Sequence, residues 1–152
     1  MKALGMALLL LTVAVVAVAR PDEAQGGVSC HNVNAKGVGQ DLGGGRTRAS
    51  IIGGGLLHGT TEAAFIITGL SGTQASFEGT IVFTVNKATL TAGLIGTFDV
   101  ASGAFSATTS SIAGTGKLAG ATGSLVLEGL QNLSDGSFTE TVTGQICVDL
   151  SP

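Results

Sequence analysis

One carboxylate, Glu140, stands in an otherwise apolar face of the last candidate strand. In the stretch FTETVTGQI, residues 138–146, the even positions carry Phe138, Glu140, Val142 and Ile146, whereas threonines occupy most odd positions. Alternate residues of a β-strand point to the same face, so uninterrupted alternation would turn Glu140 inwards. There a carboxyl group could orient a ligand or act as a general acid or base. The alternative is that Glu140 lies at a rim or that a β-bulge turns it outwards.

Phenylalanines on the apolar faces of the candidate strands are the other residues that could line a binding site. Phe83 and Phe98 lie on two strands in the middle of the chain, and Phe138 precedes Glu140 by two positions. The sequence has no tyrosine and no tryptophan, so such a site would be mostly apolar. We predict Glu140, Phe138, Phe83 and Phe98 as ligand-lining residues around an apolar small molecule. No catalytic residue is assigned, and no cofactor is predicted.

Two histidines and two arginines offer less specific chemistry. A Ser-His-Asp triad needs a histidine held by a carboxylate, but His31 adjoins Cys30 and His58 lies in a glycine-rich segment, so both are predicted to be loop residues. Arg46 and Arg48 share one face of a strand, where they could clamp an anion or lie in solvent as exposed arginines usually do. No histidine and cysteine cluster stands at metal-ligand spacing, so no metal site is predicted.

The segment GTGKLAGATG, residues 114–123, could be a phosphate-binding loop or a structural corner. A phosphate-binding loop needs G-x-x-x-x-G-K-[ST] between a strand and a helix. Here Ser111 stands six residues before Lys117, Leu118 follows the lysine, and the next segment alternates as a strand does. We therefore predict a corner. Its glycines are Gly114, Gly116, Gly120 and Gly123.

The first 19 residues have the features of a cleavable secretory signal. Lys2 is followed by a long uncharged apolar stretch that ends in Ala17-Val18-Ala19. An uncleaved membrane anchor is the alternative, although the apolar run is short for spanning and lacks a basic flank. We predict a signal peptide at residues 1–19 and a single domain at residues 20–152, secreted or periplasmic. In a eukaryotic source, Asn132 would fit an N-glycosylation acceptor.

Two cysteines, Cys30 and Cys147, stand near the two ends of this domain. Disulfides persist in exported proteins, so one bond joining the termini is predicted, with two free thiols or half of a metal site as alternatives. The formal net charge is −3, and only 11% of residues are charged. Nucleic acids and acidic membrane surfaces are poor partners for such a chain, because binding them needs clustered Lys and Arg.

Period-2 alternation runs through the whole domain, and no helical periodicity does. Strands are predicted at about residues 28–33, 47–52, 63–70, 77–85, 87–100, 105–112, 124–130 and 138–150. Eight strands with one apolar face each must stack as a β-sandwich or close into an antiparallel β-barrel. Glycines within the strands favour the barrel, because closure demands sharp coiling. They are Gly79, Gly93, Gly96 and Gly144.

The run SIAGTGKLAGATGSL, residues 111–125, resembles a motif of the allene oxide cyclase-like and dirigent-like barrels, in which G-T-G-k-[FL]-x-G-A-x-G joins two long strands. The final strand from Gly136 onwards is similar to the family's ending, so the resemblance covers roughly the last two thirds of the domain. It implies an eight-stranded antiparallel barrel, often assembled as trimers, with a cavity for an apolar small molecule. It also implies that Leu118 plugs one end of the barrel.

Two classes of function follow from this pattern. The first is a non-enzymatic protein that binds an apolar small molecule or serves as a structural or surface module. The second is an isomerase or cyclase that acts on a hydrophobic substrate inside the barrel. The scarcity of ionisable inward residues favours the first class. A cavity of several hundred Å³ with two or more convergent polar groups would favour the enzyme, whereas a core filled by side chains would exclude both ligand-binding functions.

Overall fold

The computed structural model describes residues 27–151, which form one closed antiparallel barrel. Each strand pairs with its neighbours in sequence, and the last pairs with the first. The predicted barrel is therefore confirmed, and the sandwich alternative is not adopted. The predicted signal peptide at residues 1–19 lies outside the described residues. The strands are β1 (Ser29–Gly43), β2 (Arg46–Gly53), β3 (Gly59–Ser71), β4 (Gln74–Val85), β5 (Ala88–Asp99), β6 (Ala104–Gly114), β7 (Thr122–Gln131) and β8 (Ser137–Val148).

The first strand is much longer than predicted. It continues to Gly43 rather than ending near residue 33. Its inward positions are small, with Ala35, Gly37 and Gly39 in succession, so the hydrophobic alternation that marks a strand fades after Val33. Hydrogen bonding to β8 on one side and β2 on the other keeps this weakly patterned segment extended.

One end of the barrel is closed by two short 3-10 helices, Gly55–Leu57 between β2 and β3 and Gly116–Leu118 between β6 and β7. Leu57 and Leu118 are completely buried there. Residues 114–123 thus form a corner that leads into a strand, as predicted, and Leu118 fills the barrel end as the resemblance implies. Within the corner Gly116 has φ 57° and Gly120 has φ 72°, a left-handed conformation that glycine adopts without steric cost.

The two terminal strands are joined covalently near this closed end. Cys30 lies directly opposite Cys147 in the pairing of β1 with β8, and the two form a disulfide. The predicted bond is confirmed, and it fits a protein that matures in an oxidising compartment. Within residues 27–151, no helix has the length and apolar character needed to cross a membrane.

Replacing both cysteines with serine should weaken the barrel without changing its topology, because the β1–β8 hydrogen bonds remain. The bond spans a sequence separation of 117 residues, for which loop-closure entropy gives a stabilisation of about 4 to 5 kcal/mol. Urea unfolding of the wild type and the Cys30→Ser/Cys147→Ser variant should show a difference approaching that value. Wild-type protein unfolded with reductant provides the control, since it should match the variant. Two reactive thiols in unfolded, unreduced wild type would contradict the bond.

Candidate functional site

A cavity of about 560 Å³ occupies the half of the barrel opposite the two 3-10 helices. An eight-stranded barrel is just wide enough either to be filled by side chains or to hold one small ligand. In this barrel one half is open and the other is filled, because fully buried Phe83, Leu90 and Val142 pack the half below the cavity. The cavity has the volume of a small-molecule site.

Most of the cavity wall is aromatic or aliphatic. Of the predicted ligand-lining residues, Glu140, Phe138 and Phe98 lie in the wall. Phe83 does not line it, because this ring is completely buried in the packed half. Sequence reasoning left out Phe65, Phe77 and Phe105, although Phe77 shares the alternating face that pointed to Phe83. Five of the six phenylalanines line the cavity, namely Phe65, Phe77, Phe98, Phe105 and Phe138.

Glycines on the neighbouring strand make room for Glu140 and Phe138 against the wall. Gly37 of β1 is the cross-strand partner of Glu140, and Gly39 is the partner of Phe138. A Cβ atom built on Gly37 would lie 2.5 Å from Cγ of Glu140 and 2.6 Å from its Oε1, and one on Gly39 would collide with the Phe138 ring. Both side chains therefore lie over a glycine, which leaves the centre of the barrel open.

The other side of Glu140 repeats this arrangement. Its partner on β7 is Gly129, and a Cβ atom there would collide with the Phe105 ring. Phe105 and Phe138 meet edge to face, with 5.9 Å between ring centroids. Glu140 is consequently bordered by two glycines. Its own side chain covers Gly37, and the Phe105 ring covers Gly129.

Glu140 is the one ionisable side chain buried within the cavity wall among the described residues. It is only 7% exposed, so of the two orientations that the sequence left open, inwards or at a rim, the inward one is adopted. Burial raises its pKa from the ordinary 4.5 to about 7. Desolvation is the sole cause: no cation or hydrogen-bond donor of residues 27–151 offsets it. The carboxyl group is therefore half ionised near neutral pH and has unused hydrogen-bonding capacity.

The remaining polar groups of the wall are already paired or uncharged. Asp41 lies near the open end, where its Oδ2 accepts a hydrogen bond of 3.1 Å from Nε2 of Gln131. Thr47 and Thr61 contribute hydroxyl groups, and Thr61 is buried. No lysine, arginine or histidine of the described part of the chain lines the cavity. The cavity wall is therefore mostly aromatic, and its charged groups are acidic.

The entrance to the cavity is apolar as well. Ile67 and Leu70 at the end of β3, Val100 after β5 and Leu133 after β7 all line the cavity while remaining about half or more exposed. Sequence reasoning placed turns here but did not anticipate these apolar residues at the barrel mouth. Exposed apolar side chains around a cavity are typical of ligand-binding surfaces.

The arginines and histidines considered in the sequence analysis do not come together in a site. Arg48 forms an exposed salt bridge of 2.7 Å to Glu62 on the outer face, and Arg46 is exposed on that same face. His58 lies in a loop as predicted, whereas the loop prediction for His31 is wrong, because His31 belongs to β1, in keeping with the strand predicted at about residues 28–33. Within residues 27–151, no three His, Cys, Asp or Glu side chains are grouped so that they could hold a metal.

Glu140→Gln should remove a pH dependence from the stability of the barrel. The pKa of Glu140 is about 7 in the folded protein against an ordinary 4.5, so the folded state binds more protons than the unfolded state between these values. Wild-type stability should then fall as pH rises from 5 to 8, by about 3 kcal/mol at most. Urea unfolding across this range should give a flatter profile for the variant.

Glu128→Gln is the matched control, because Glu128 is an exposed acid on the adjacent strand.

Carboxylates in the turns affect the stability of the barrel at a lower pH than Glu140 does. Backbone N–H groups of Ala101 and Ser102 lower the pKa of Asp99, and serine hydroxyls lower the pKa of Asp135 and Asp149. Their stabilisation is lost only as pH falls below about 4. Parallel profiles for wild type and Glu140→Gln between pH 5 and 8 would contradict the assignment.

Comparisons with protein-family models, with curated proteins and with solved structures found no match to this chain. The resemblance carried by residues 111–125 therefore stays a prediction.

Proposed function

We propose that this protein is a secreted, non-enzymatic barrel that binds an apolar small molecule in its open half. The observation that carries the proposal is the preformed cavity of about 560 Å³ with five phenylalanines in its wall. Side chains fill the opposite half of the same barrel. The cavity therefore results from the residues at the inward positions of the open half and not from the width of the barrel. Ligand pockets are concave, mostly apolar and largely preformed, and this cavity has all three properties.

The construction of the wall supports a binding role. Gly37, Gly39 and Gly129 stand where larger inward residues would fill the lumen, and the side chains that lie over them are held against the wall. The exposed Leu70, Val100 and Leu133 give an apolar ligand a continuous apolar path from the mouth to the interior. Removing apolar surface from water in this way is favourable by roughly 25 cal/mol per Å².

Export and family membership are parts of the same proposal. The Cys30–Cys147 disulfide fits an oxidising compartment, and the apolar sequence of residues 1–19 fits a secretory signal. The closed eight-stranded topology and the buried Leu118 corner support membership of the allene oxide cyclase-like barrels.

An isomerase or cyclase that acts on a hydrophobic substrate is the second candidate. It is favoured by Glu140, because a carboxyl group with a pKa of about 7 can donate or accept a proton at neutral pH. Asp41, the other acid of the wall, is hydrogen-bonded to Gln131 near the mouth. The binding role needs no second acid or base, and for this reason we favour it. Recovery of a chemically altered ligand after incubation would favour the enzyme instead.

Ala63→Phe and Ala64→Phe form a matched pair that tests the binding site. Ala63 lines the cavity, whereas its neighbour Ala64 is exposed on the outer face of the same strand. Diphenylhexatriene, an uncharged fluorophore, should bind wild type saturably with one site per barrel. A ring placed at Ala63 occupies cavity volume and should weaken binding about tenfold or more, a loss of at least about 1.4 kcal/mol. A ring at Ala64 should leave binding unchanged.

Thermal unfolding of both variants separates loss of binding from loss of the fold. A folded Ala63→Phe protein that binds the fluorophore as wild type does would overturn the assignment of the site. Absence of saturable binding by wild type would overturn the proposed function itself.

A further inference from the structure

We propose that the cavity selects a lipophilic amine, that is, a ligand with an apolar body and one positively charged ammonium group that pairs with the Glu140 carboxylate. This inference rests on the proposed binding function and adds the chemical class of the ligand. It is carried by three features of the wall: the sign of its charges, the unpartnered position of its buried acid, and the aromatic rings beside that acid.

The charges of the wall are of one sign. Glu140 and Asp41 are its ionisable residues, and no basic side chain of residues 27–151 lines it. A ligand carboxylate would therefore enter a site that offers it no cation and presents it with two acids. An ammonium group meets the complementary charge, which is how polar groups in a mostly apolar pocket fix orientation and specificity.

The two acids are not equivalent as partners. Asp41 Oδ2 already accepts a hydrogen bond from Gln131 near the mouth. Glu140 is more than nine-tenths buried, and burial alone perturbs it, with no donor or cation among the described residues to offset the cost. On β1 the one titratable residue that faces the lumen beside it is Asp41, and the inward positions of β7 next to it are Leu127, Gly129 and Gln131. The carboxyl oxygens of Glu140 can thus accept hydrogen bonds from a ligand.

The surroundings of Glu140 suit a cation rather than a neutral donor. Phe138 lies two residues before it on the same face, and Phe105 covers its cross-strand neighbour Gly129. These rings meet edge to face, so ring faces as well as edges border the acid. Aromatic faces attract ammonium groups electrostatically, and the attraction is strongest where water is excluded. An uncharged alcohol would gain only a hydrogen bond from the same group.

Amine binding should be linked to the release of one proton. In the free protein Glu140 holds a proton at acidic pH, and the ammonium group needs the ionised form. The proton therefore leaves the carboxyl group for solvent as the ammonium binds, while the ammonium keeps its own protons. An alkylammonium remains charged throughout pH 5 to 8, as a lysine does. Affinity for the amine should thus fall as pH drops below about 7, by up to about 100-fold between pH 8 and pH 5.

Isothermal titration calorimetry with three ligands of equal chain length tests the selectivity. Decylamine, decanol and decanoic acid are titrated into wild type at pH 8, each below its micellar concentration. We expect decylamine to bind at least about tenfold more tightly than decanol, and decanoic acid to bind most weakly. Repeating the decylamine titration near pH 6.5 in buffers of different ionisation enthalpy should show a released proton, whereas decanol should release none.

Glu140→Gln and Asp41→Asn locate the charged partner. The Gln variant should bind decylamine and decanol with similar affinity and lose the pH dependence. The Asn variant removes only the hydrogen-bonded acid near the mouth, so it should retain most of the selectivity and the pH dependence. Equal binding of decylamine and decanol by wild type would overturn the amine selectivity but leave the binding function standing, as would tighter binding of decanoic acid. Selectivity that follows Asp41 would overturn the role of Glu140. If none of the three ligands binds, the proposed function fails together with this inference.

Discussion

Pairing of β8 with β1 is the constraint on which the rest of the structure depends. It runs from Ser29 opposite Val148 to Gln40 opposite Ser137, and it closes the sheet on itself. In a closed sheet, the inward or outward direction of every residue on a strand is set by that of its neighbours, since a slip of one residue would turn a whole strand inside out. Glu140 cannot turn outwards without exposing Phe138 and Val142, which the same alternation buries.

Residue size at the inward positions then decides which half of the barrel is full. Near the disulfide the inward residues are Val, Ile, Leu and Phe, and Leu57 and Leu118 fill the end between them. Towards the other end the inward positions include Gly37, Gly39, Gly96 and Gly129, over which neighbouring side chains lie. Glycine thus has two roles here. It allows the backbone to coil, and it gives an aromatic ring a flat surface to cover, which keeps the ring out of the lumen.

Sequence reasoning succeeded where the information is local. Alternation identified the eight strands and the face on which Glu140 lies, and the absence of a helix after Lys117 identified the corner. It failed for the second half of β1, because Gly37 and Gly39 lack side chains that would reveal a face. It could not separate Phe83 from Phe98 either. Both are inward phenylalanines, and only the height of each along the barrel, set by stagger between distant strands, places one in the packed half and the other in the wall.

The position of Glu140 bears on the proposed binding function, because an acid at an inward position is unfavourable in the free barrel. The Glu140 carboxyl oxygens reach the open cavity, because no buried side-chain nitrogen or oxygen of the described residues lacks a hydrogen-bond partner. Desolvation still raises the pKa of the group to about 7, so ionisation is less favourable there than in solvent. An apolar residue of similar size at this position would avoid the cost, and Val142 and Ile146 on the same face are such residues. The glycine beneath Glu140 adds to the argument, because Gly37 leaves the space that the acid occupies. A carboxyl group that is costly to ionise in the free barrel, in a wall shaped to accommodate it, is the group with which the proposed ligand would pair.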